Sequence, residues 1–175
     1  ARAWTAAQGV PLAGELDLFA QALQSLALRE DSPYRPQVLG ITGTNGKTTV
    51  THLVSHLLCS QGLDAPMGGN VGNSAAELVL QRCRSADPPP HWLVMELSSY
   101  QIEAAAEVAP RVGIWTTLTP DHLERHGSLD AYRAIKRGLL ERSGLQILNG
   151  DDPDLRAHAS GWSQPCWVTA RSRQE

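Results

Sequence analysis

The segment Gly43-Thr-Asn-Gly-Lys-Thr-Thr49 has the residue types of a phosphate-binding loop. Its glycines let backbone amides converge on phosphate oxygens, the amine of Lys47 can reach outer phosphates, and the hydroxyl of Thr48 can ligate magnesium. An apolar run at 38–42 precedes the loop and an amphipathic stretch follows it, which is the order of a P-loop. The first glycine comes two residues later than in the common pattern. We therefore predict a shortened loop that binds a nucleoside triphosphate, rather than a glycine-rich turn with an exposed lysine.

Glu96 is a candidate magnesium ligand. It ends the apolar run 92–95, and the carboxyl edge of a parallel sheet is where such folds bind ligands. Magnesium prefers oxygen ligands and takes one or two carboxylates together with phosphates, so Glu96 and the hydroxyl of Thr48 could share one ion. The alternative is an acidic residue ahead of a helix that Ser98 or Ser99 caps.

Two further polar segments are candidates for the same site. Asp121 and His122 follow a predicted strand and are expected at the same sheet edge as Glu96, where they could ligate metal or contact substrate. A loop histidine can equally be merely exposed. Gly68-Gly-Asn-Val-Gly72 precedes a predicted helix, and Asn70 could present its amide to a phosphate or substrate oxygen. A plain turn is an equal alternative for that segment.

Lys136 lies on the apolar side of the helix predicted at 129–142. At 100° per residue, the apolar stripe of that helix consists of Leu129, Tyr132, Leu139 and Leu140. A lysine that points toward a core is costly unless it is paired, neutral or chemically changed. The alternative is that its long side chain extends back to the surface.

Short apolar runs alternate with amphipathic stretches and would position these residues. The predicted strands are 38–42, 92–95, 112–118, 145–148 and a weaker 167–169. The predicted helices are 15–29, 47–61, 74–83, 100–108, 129–142 and 154–158. Alternating strands and helices form βαβ units, so the fold class is α/β, with a mostly parallel sheet and helices on both faces. Two prolines make 31–36 a linker.

The composition argues against several classes of partner. The chain has 175 residues, a formal net charge of -3, and three cysteines without metal-binding spacing. Because no basic surface is available for phosphate backbones, we expect no nucleic-acid partner. No run approaches the roughly 20 apolar residues of a membrane span. We expect a monomer in the reducing cytoplasm, without a membrane partner.

Together, these segments resemble the Mur ligase family. The family motifs are matched, in family order, by Gly43-Thr-Asn-Gly-Lys-Thr-Thr49, Gly68-Gly-Asn-Val-Gly72, Glu96-Leu-Ser-Ser-Tyr-Gln-Ile-Glu103, Asp121-His122 and Tyr132-Arg-Ala-Ile-Lys136. The second and third of these, with Gly14-Glu-Leu-Asp-Leu18, look most like the members that add D-glutamate. The resemblance implies the fold of the P-loop central domain and an ATP-dependent ligase of peptidoglycan synthesis.

The resemblance also implies a reaction and a role for each matched residue. In this family ATP phosphorylates the carboxylate of UDP-N-acetylmuramoyl-L-alanine, and the amine of D-glutamate then attacks the acyl phosphate. The implied catalytic residues are Lys47, Glu96, His122 and Lys136. The implied nucleotide contacts are Gly43, Thr44, Asn45, Gly46, Lys47, Thr48 and Thr49, and the implied substrate contacts are Asn70, Ser98 and His122. Of two magnesium ions, Thr48 and Glu96 would hold one, and His122 with a carbamylated Lys136 the other.

The same resemblance implies that the chain is part of a longer protein. Residues 1–36 would be the tail of a UDP-binding domain and its linker, and residues 37–175 an ATP-binding central domain that is incomplete at its C-terminus. The start without Met and the polar end agree with this expectation. Groups that grip adenine would follow Glu175, so the chain alone is not expected to catalyse. The alternatives are another superfamily ligase, such as a folylpolyglutamate or cyanophycin synthetase, and a P-loop ATPase without acyl activation, which has no need of Lys136.

Overall fold

Strands and helices alternate through the computed structural model, which describes residues 8–9, 13–28, 36–84, 88–105, 107–162 and 165–171. The strands are β1 Gln37–Thr42, β2 Met67–Gly69, β3 Trp92–Glu96, β4 Val112–Trp115, β5 Leu145–Asn149 and β6 Cys166–Val168. The helices are α1 Glu15–Leu28, α2 Lys47–Ser60, α3 Ala75–Arg84, α4 Ser99–Ala104, α5 Leu123–His126, α6 Leu129–Glu141 and α7 Pro153–Ala157. A short 3₁₀ turn spans Ala159–Gly161.

The six described strands form one sheet in the order β2-β3-β1-β4-β5-β6. Every neighbouring pair is parallel, which confirms the predicted α/β fold with a parallel sheet. The chain leaves β1 toward one edge and later crosses to the other side of it. Because crossovers are right-handed, this reversal sends α2 to one face and the later helices to the opposite face. It also places the end of β1 at a switch point, where open α/β sheets bind ligands.

Two apolar clusters confirm that helices cover both faces. On one face, sheet residues including Ile41 and Val94 pack against Val50, Val54 and Leu58 of α2. On the other face, a larger cluster joins the sheet to α1, α3, α4 and α6. Its sheet residues are Leu93, Met95, Trp115 and Leu148. The strands read as nearly continuous apolar runs because helices approach them from two sides.

The elements differ from the sequence prediction by more than one residue in four places. The strand expected over 112–118 ends at Trp115, since residues 116–119 turn to bond the loop that follows β1. The helix expected over 100–108 ends at Ala104. Strand β2 and helix α5 were not predicted, because three residues of Met-Gly-Gly and four of Leu-Glu-Arg-His carry too little periodicity.

Helix α1 packs on the same face of the sheet as α3 and α4. Its Leu16, Phe19 and Ala20 belong to the larger apolar cluster, and Glu15 Oε1 accepts a hydrogen bond from Ala76 N at 3.0 Å. The predicted linker at 31–36 lies outside the described residues except for Pro36. Among the helices that the structure describes, none has the length and apolarity to cross a membrane.

Candidate functional site

The loop after β1 needs two of its glycines for its shape. A Cβ on Gly43, whose φ is 150°, would collide with Oγ1 of Thr116. Gly46 has a φ of 80° and precedes α2 without offering a side-chain cap. The first amides of α2 therefore have no side-chain acceptor at that position, and such a helix start attracts anions. The local geometry is that of a phosphate-binding loop.

The segment that follows β4 holds this loop in shape. Thr44 N donates to Thr117 O at 2.8 Å, and Asn45 N donates to Thr117 Oγ1 at 2.9 Å. In the opposite direction, Thr116 Oγ1 donates to Asn45 O at 2.6 Å. Thr44 Oγ1 donates to the carbonyl of Thr119 at 3.0 Å. Hydrogen bonds within the protein thus preorganise the loop. Lys47 Nζ also donates a hydrogen bond to Thr44 O at 2.9 Å.

Glu96 is a buried carboxylate beside the start of α2. Its side chain is 1% exposed, Oε2 accepts from Thr48 Oγ1 at 2.8 Å, and Oε1 accepts from Asn70 Nδ2 at 2.9 Å. Within the described part of the chain it makes no ion pair. An ionised carboxylate in such a place needs a compensating cation. The adjacent hydroxyl and carboxylate oxygens fit the ligand preference of magnesium.

Asn70 is held to the end of β3 by its backbone as well as its side chain. Asn70 N donates to Glu96 O at 2.9 Å, and a Cβ on Gly69, at a φ of 99°, would collide with that same carbonyl. The segment 68–72 is therefore more than the plain turn considered from sequence. Its first residues extend the sheet as β2 and deliver Asn70 to the carboxylate.

The side chain of Lys136 faces the core. The alternative interpretation, in which this side chain extends back to the surface, is therefore wrong. It is 1% exposed, and Nζ donates to Gly43 O at 2.9 Å and to Thr42 Oγ1 at 3.3 Å. The amine also lies 4.6 Å from the ring centre of Tyr132. Burial lowers the pKa of Lys136 to about 7, and the nearby Lys47 ammonium adds to this effect, while Asp121 opposes it. A substantial share of this amine is neutral near neutral pH.

His122 lies at the start of α5 in a left-handed conformation. Its φ is 52°, and it is the one non-glycine residue with positive φ in the described ranges. Its side chain is 42% exposed, with Nε2 at 3.6 Å from Asp121 Oδ2 and its ring centre 5.2 Å from that of Tyr100. The structure records no direct contact from His122 to Glu96 or Lys136. Such backbone conformations persist where surrounding structure enforces them, often at functional sites.

Ser98 caps α4 in the way that the alternative interpretation expected. Its Oγ accepts from Gln101 N at 3.3 Å and bonds Gln101 Oε1 at 3.0 Å. The backbone amide of Ser98 donates to the same Oε1 at 3.0 Å. This capping box fixes the helix that begins three residues after Glu96. A substrate contact would have to share the hydroxyl with the cap.

Several residues that sequence reasoning left out complete the site. The hydroxyl of Tyr132 lies 3.4 Å from Thr44 Oγ1, and burial raises the pKa of Tyr132 although the bond to Thr44 opposes this. Asp152 accepts from Leu118 N at 2.8 Å and from Leu155 N at 2.9 Å, and so joins the loop after β4 to α7. Asp152 followed by Pro153 is a sequence pattern typical of a helix start, so this cap could have been predicted from the sequence.

An apolar cavity of about 460 Å³ opens beside the loop on the face that carries α2. Its lining includes Asn45, Gly46, Val50, Ile114, Ile147 and Asn149. Across the described residues, no three His, Cys, Asp or Glu side chains are grouped closely enough to hold a metal ion. A metal at this site therefore needs hydroxyl and phosphate oxygens, as the pairing of Thr48 with Glu96 suggests.

The fold and the site define a class of protein. A parallel sheet with a preorganised phosphate loop at its switch point, and a buried carboxylate bonded to the first helical turn, form a P-loop nucleotide-binding domain. Residues 41–174 match the family model described as the Mur ligase middle domain. The chain belongs to this family.

Curated relatives and solved structures agree with this assignment. The chain is 63% identical over 163 residues to UDP-N-acetylmuramoylalanine–D-glutamate ligase of Synechococcus sp. (strain CC9605), covering 93% of this chain and 33% of that protein. It is 68% identical over 132 residues to the protein of the same name from Prochlorococcus marinus (strain MIT 9313), covering 75% of this chain and 29% of that one. The chain thus spans about a third of the length of these relatives.

A solved structure supports the fold independently. The MurF ligase from Thermotoga maritima in complex with ADP matches with a TM-score of 0.67 and 19% identity, over 92% of this chain and 38% of that one. At this identity the likeness shows the fold of the domain and no more.

Proposed function

We propose that the chain is the ATP-binding part of an amide ligase that adds D-glutamate to UDP-N-acetylmuramoyl-L-alanine, a step of peptidoglycan synthesis. The observation that carries the proposal is the buried amine of Lys136, 2.9 Å from the carbonyl of Gly43 in the phosphate loop. A nucleotide switch has no need of such an amine. The name and 63% identity of the Synechococcus relative favour D-glutamate over the amino acids of other superfamily ligases.

The whole protein is longer in this proposal. Residues 1–36 belong to the end of a UDP-binding domain and its linker, and residues 37–175 to the central domain. A further domain binds the amino acid. The proposed enzyme acts as a monomer in the cytoplasm on small-molecule substrates, with neither nucleic acid nor membrane as a partner.

The phosphate loop and the start of α2 hold the triphosphate. The first amides of α2, which no side chain caps, can donate to the phosphates, and Lys47 can exchange the carbonyl of Thr44 for an outer phosphate oxygen. The bonds from residues 116–119 keep the loop in place before the nucleotide arrives. Little ordering of the loop is therefore needed on binding.

Thr48 and Glu96 hold one magnesium ion, and His122 with Lys136 holds a second in this proposal. Magnesium, when bound, neutralises charge on the phosphoryl group that is transferred. The buried and unpaired carboxylate of Glu96 provides the negative charge for the first ion, while Asn70 orients its second oxygen. Lys136 as a plain amine donates hydrogen bonds and is not an oxygen ligand.

Carbamylation would turn Lys136 into such a ligand. Carbon dioxide reacts with a neutral amine, forms an N–C bond, and releases one proton, so that an anionic carbamate results. Burial supplies the neutral amine, since it lowers the pKa of Lys136 to about 7. The carbamate replaces a costly buried cation by an anion beside the proposed metal.

The remaining residues position the acid that is activated. The carboxyl edge of the sheet, next to the phosphate loop, carries three of these residues: His122, Asn70 and Ser98. There they can hold the substrate carboxylate in line with the outer phosphate. Transfer of the phosphoryl group gives ADP and an acyl phosphate, and attack by the amine of D-glutamate releases phosphate and forms the amide.

The amino-acid specificity of the full-length protein tests this proposal. With ATP, magnesium and UDP-N-acetylmuramoyl-L-alanine, we expect phosphate release when D-glutamate is supplied. Little release is expected when L-lysine or diaminopimelate replaces it. The Lys47→Ala variant should lose ATP affinity in calorimetry, because it removes the cation that meets the outer phosphates. Equal turnover with all three amino acids would contradict the assignment.

A further inference from the structure

His126 contacts two neighbouring helices, α4 and α6. It is the last residue of α5, and His122 directly precedes the first residue of that helix. Its Nε2 lies 3.0 Å from Oγ of Ser99, the first residue of α4 and three positions after Glu96. Its ring centre lies 5.4 Å from that of Tyr132, which is one helical turn before Lys136 on α6. One side chain therefore links α5, which His122 precedes, to the helix that follows Glu96 and to the helix that bears Lys136.

Four neighbouring contacts strengthen the attachment of α5 to α4. The ring of Tyr100 lies 5.2 Å from the ring of His122 and 5.5 Å from that of His126. Arg125 Nη2 is paired with Glu103 Oε2 at 2.9 Å and its guanidinium lies 5.7 Å from the Tyr100 ring centre. A helix of four residues has little stability of its own, so side-chain contacts such as these must set its orientation.

The bond between Ser99 and His126 is buried on its Ser99 side. Ser99 is 2% exposed, whereas the pair of Arg125 and Glu103 lies nearer to solvent, with side chains 43% and 28% exposed. Exposed ion pairs contribute little to geometry or stability, while a buried hydroxyl is costly to leave without its hydrogen bond. The fixed position of α5 thus depends chiefly on His126 and the rings around it.

We propose that His126 is a positioning residue that sets the places of His122 and Lys136 relative to Glu96. This inference rests on the proposed function, because the spacing matters only if these residues act together on nucleotide and substrate. His126 acts through two partners. The bond to Ser99 fixes α5 and hence the left-handed His122, and the packing on Tyr132 fixes the ring that lies against the amine of Lys136.

The test uses four variants of the full-length protein. His126→Phe keeps a ring beside Tyr132 and removes the bond to Ser99, and Ser99→Ala removes the same bond from the other side. His126→Gln keeps an amide nitrogen that can reach Ser99. His56→Gln, on the exposed side of α2, is the matched control for a histidine change away from the site.

We expect His126→Phe and Ser99→Ala to lower kcat by about ten-fold or more, as loss of a residue that orients a ligating group does. The KM for ATP should change little, because neither residue touches the phosphate loop. His126→Gln should regain part of the lost kcat, and His56→Gln should match the wild type. A structural role alone would lower the melting temperature and leave kcat per folded molecule unchanged.

Hydrogen exchange of the amides of residues 123–127 gives a second readout that needs no turnover. We expect faster exchange in His126→Phe and Ser99→Ala than in the wild type or His56→Gln. An unchanged kcat in both bond-deleting variants would overturn the inference, and so would unchanged exchange. A wild-type protein that is inactive with D-glutamate counts against the proposed function instead, and the exchange rates then decide whether His126 fixes α5.

Discussion

At the scale of single residues, Lys136 and Glu96 show how burial prepares side chains for chemistry. Lys136 is buried against neutral oxygens, and Glu96 against a hydroxyl and an amide, so neither has an opposite charge at ion-pair distance in the described part of the chain. Burial of a charge without an opposite charge is costly. In the proposed enzyme, magnesium beside Glu96 and carbon dioxide at Lys136 would relieve this cost.

Unmodified Lys136 should make stability depend on pH. Its folded pKa of about 7 is below the ordinary 10.5, so between these values the unfolded state binds more protons and stability rises with pH. From pH 7 to pH 9 the gain in the free energy of unfolding should be roughly 2 kcal/mol. Urea titrations of the wild type and Lys136→Met, in buffer purged of carbon dioxide, measure it. A wild-type slope no steeper than that of the variant would contradict this account.

The sequence predicted some of these residues and not others for physical reasons. Lys136 could be found because its place on an apolar stripe follows from helical periodicity alone. Glu96 could be found because it ends an apolar strand. His126 and Ser99 could not be paired from sequence, since 27 residues separate them and their contact depends on the packing of α5. Tyr132 was assigned to the core, and its contact with Thr44 became visible only in the structure.

At the scale of elements, the segments at the carboxyl ends of β2 and β4 shape the site. Residues 116–118 were expected to continue β4, yet they turn and, together with Thr119, bond Thr44 and Asn45 of the loop after β1. A plain turn was an equal alternative for the segment 68–72, yet its first residues extend the sheet as part of β2, since the glycines permit close approach to Glu96 and to α3. Both departures bring polar groups toward the phosphate loop.

Two glycine variants separate loop shape from general stability. Gly43→Ala and Gly62→Ala both place a side chain at a φ disfavoured for L-residues, at an approximate cost of 1–3 kcal/mol each. Only the Cβ on Gly43 also collides with Thr116, whereas Gly62 has open space around it. We expect ATP affinity in the full-length protein to fall by at least about ten-fold for Gly43→Ala alone, since 1.4 kcal/mol of lost binding suffices. Equal affinities in calorimetry would show that the loop tolerates displacement.

At the scale of the whole molecule, the sheet is covered unevenly. Helix α2 covers β1 and its neighbours on one side, while Ile114, Ile147 and Val168 on that face line the open cavity, with Val168 55% exposed. Parallel sheets are normally covered on both faces. In the proposed longer protein this face is where further chain or the nucleoside would pack. The sequence predicted the sheet and its helices, but the uncovered face depends on strand order, which periodicity does not give.

The transfer of labelled oxygen tests the central claim most directly. The full-length protein is given ATP, magnesium, D-glutamate, and UDP-N-acetylmuramoyl-L-alanine with heavy oxygen in its carboxylate. If the carboxylate is phosphorylated and the amine then displaces phosphate, one labelled oxygen leaves with each phosphate released, and mass spectrometry detects it. Unlabelled phosphate released at the same rate as product would show that ATP hydrolysis is separate from acid activation, and would contradict the account.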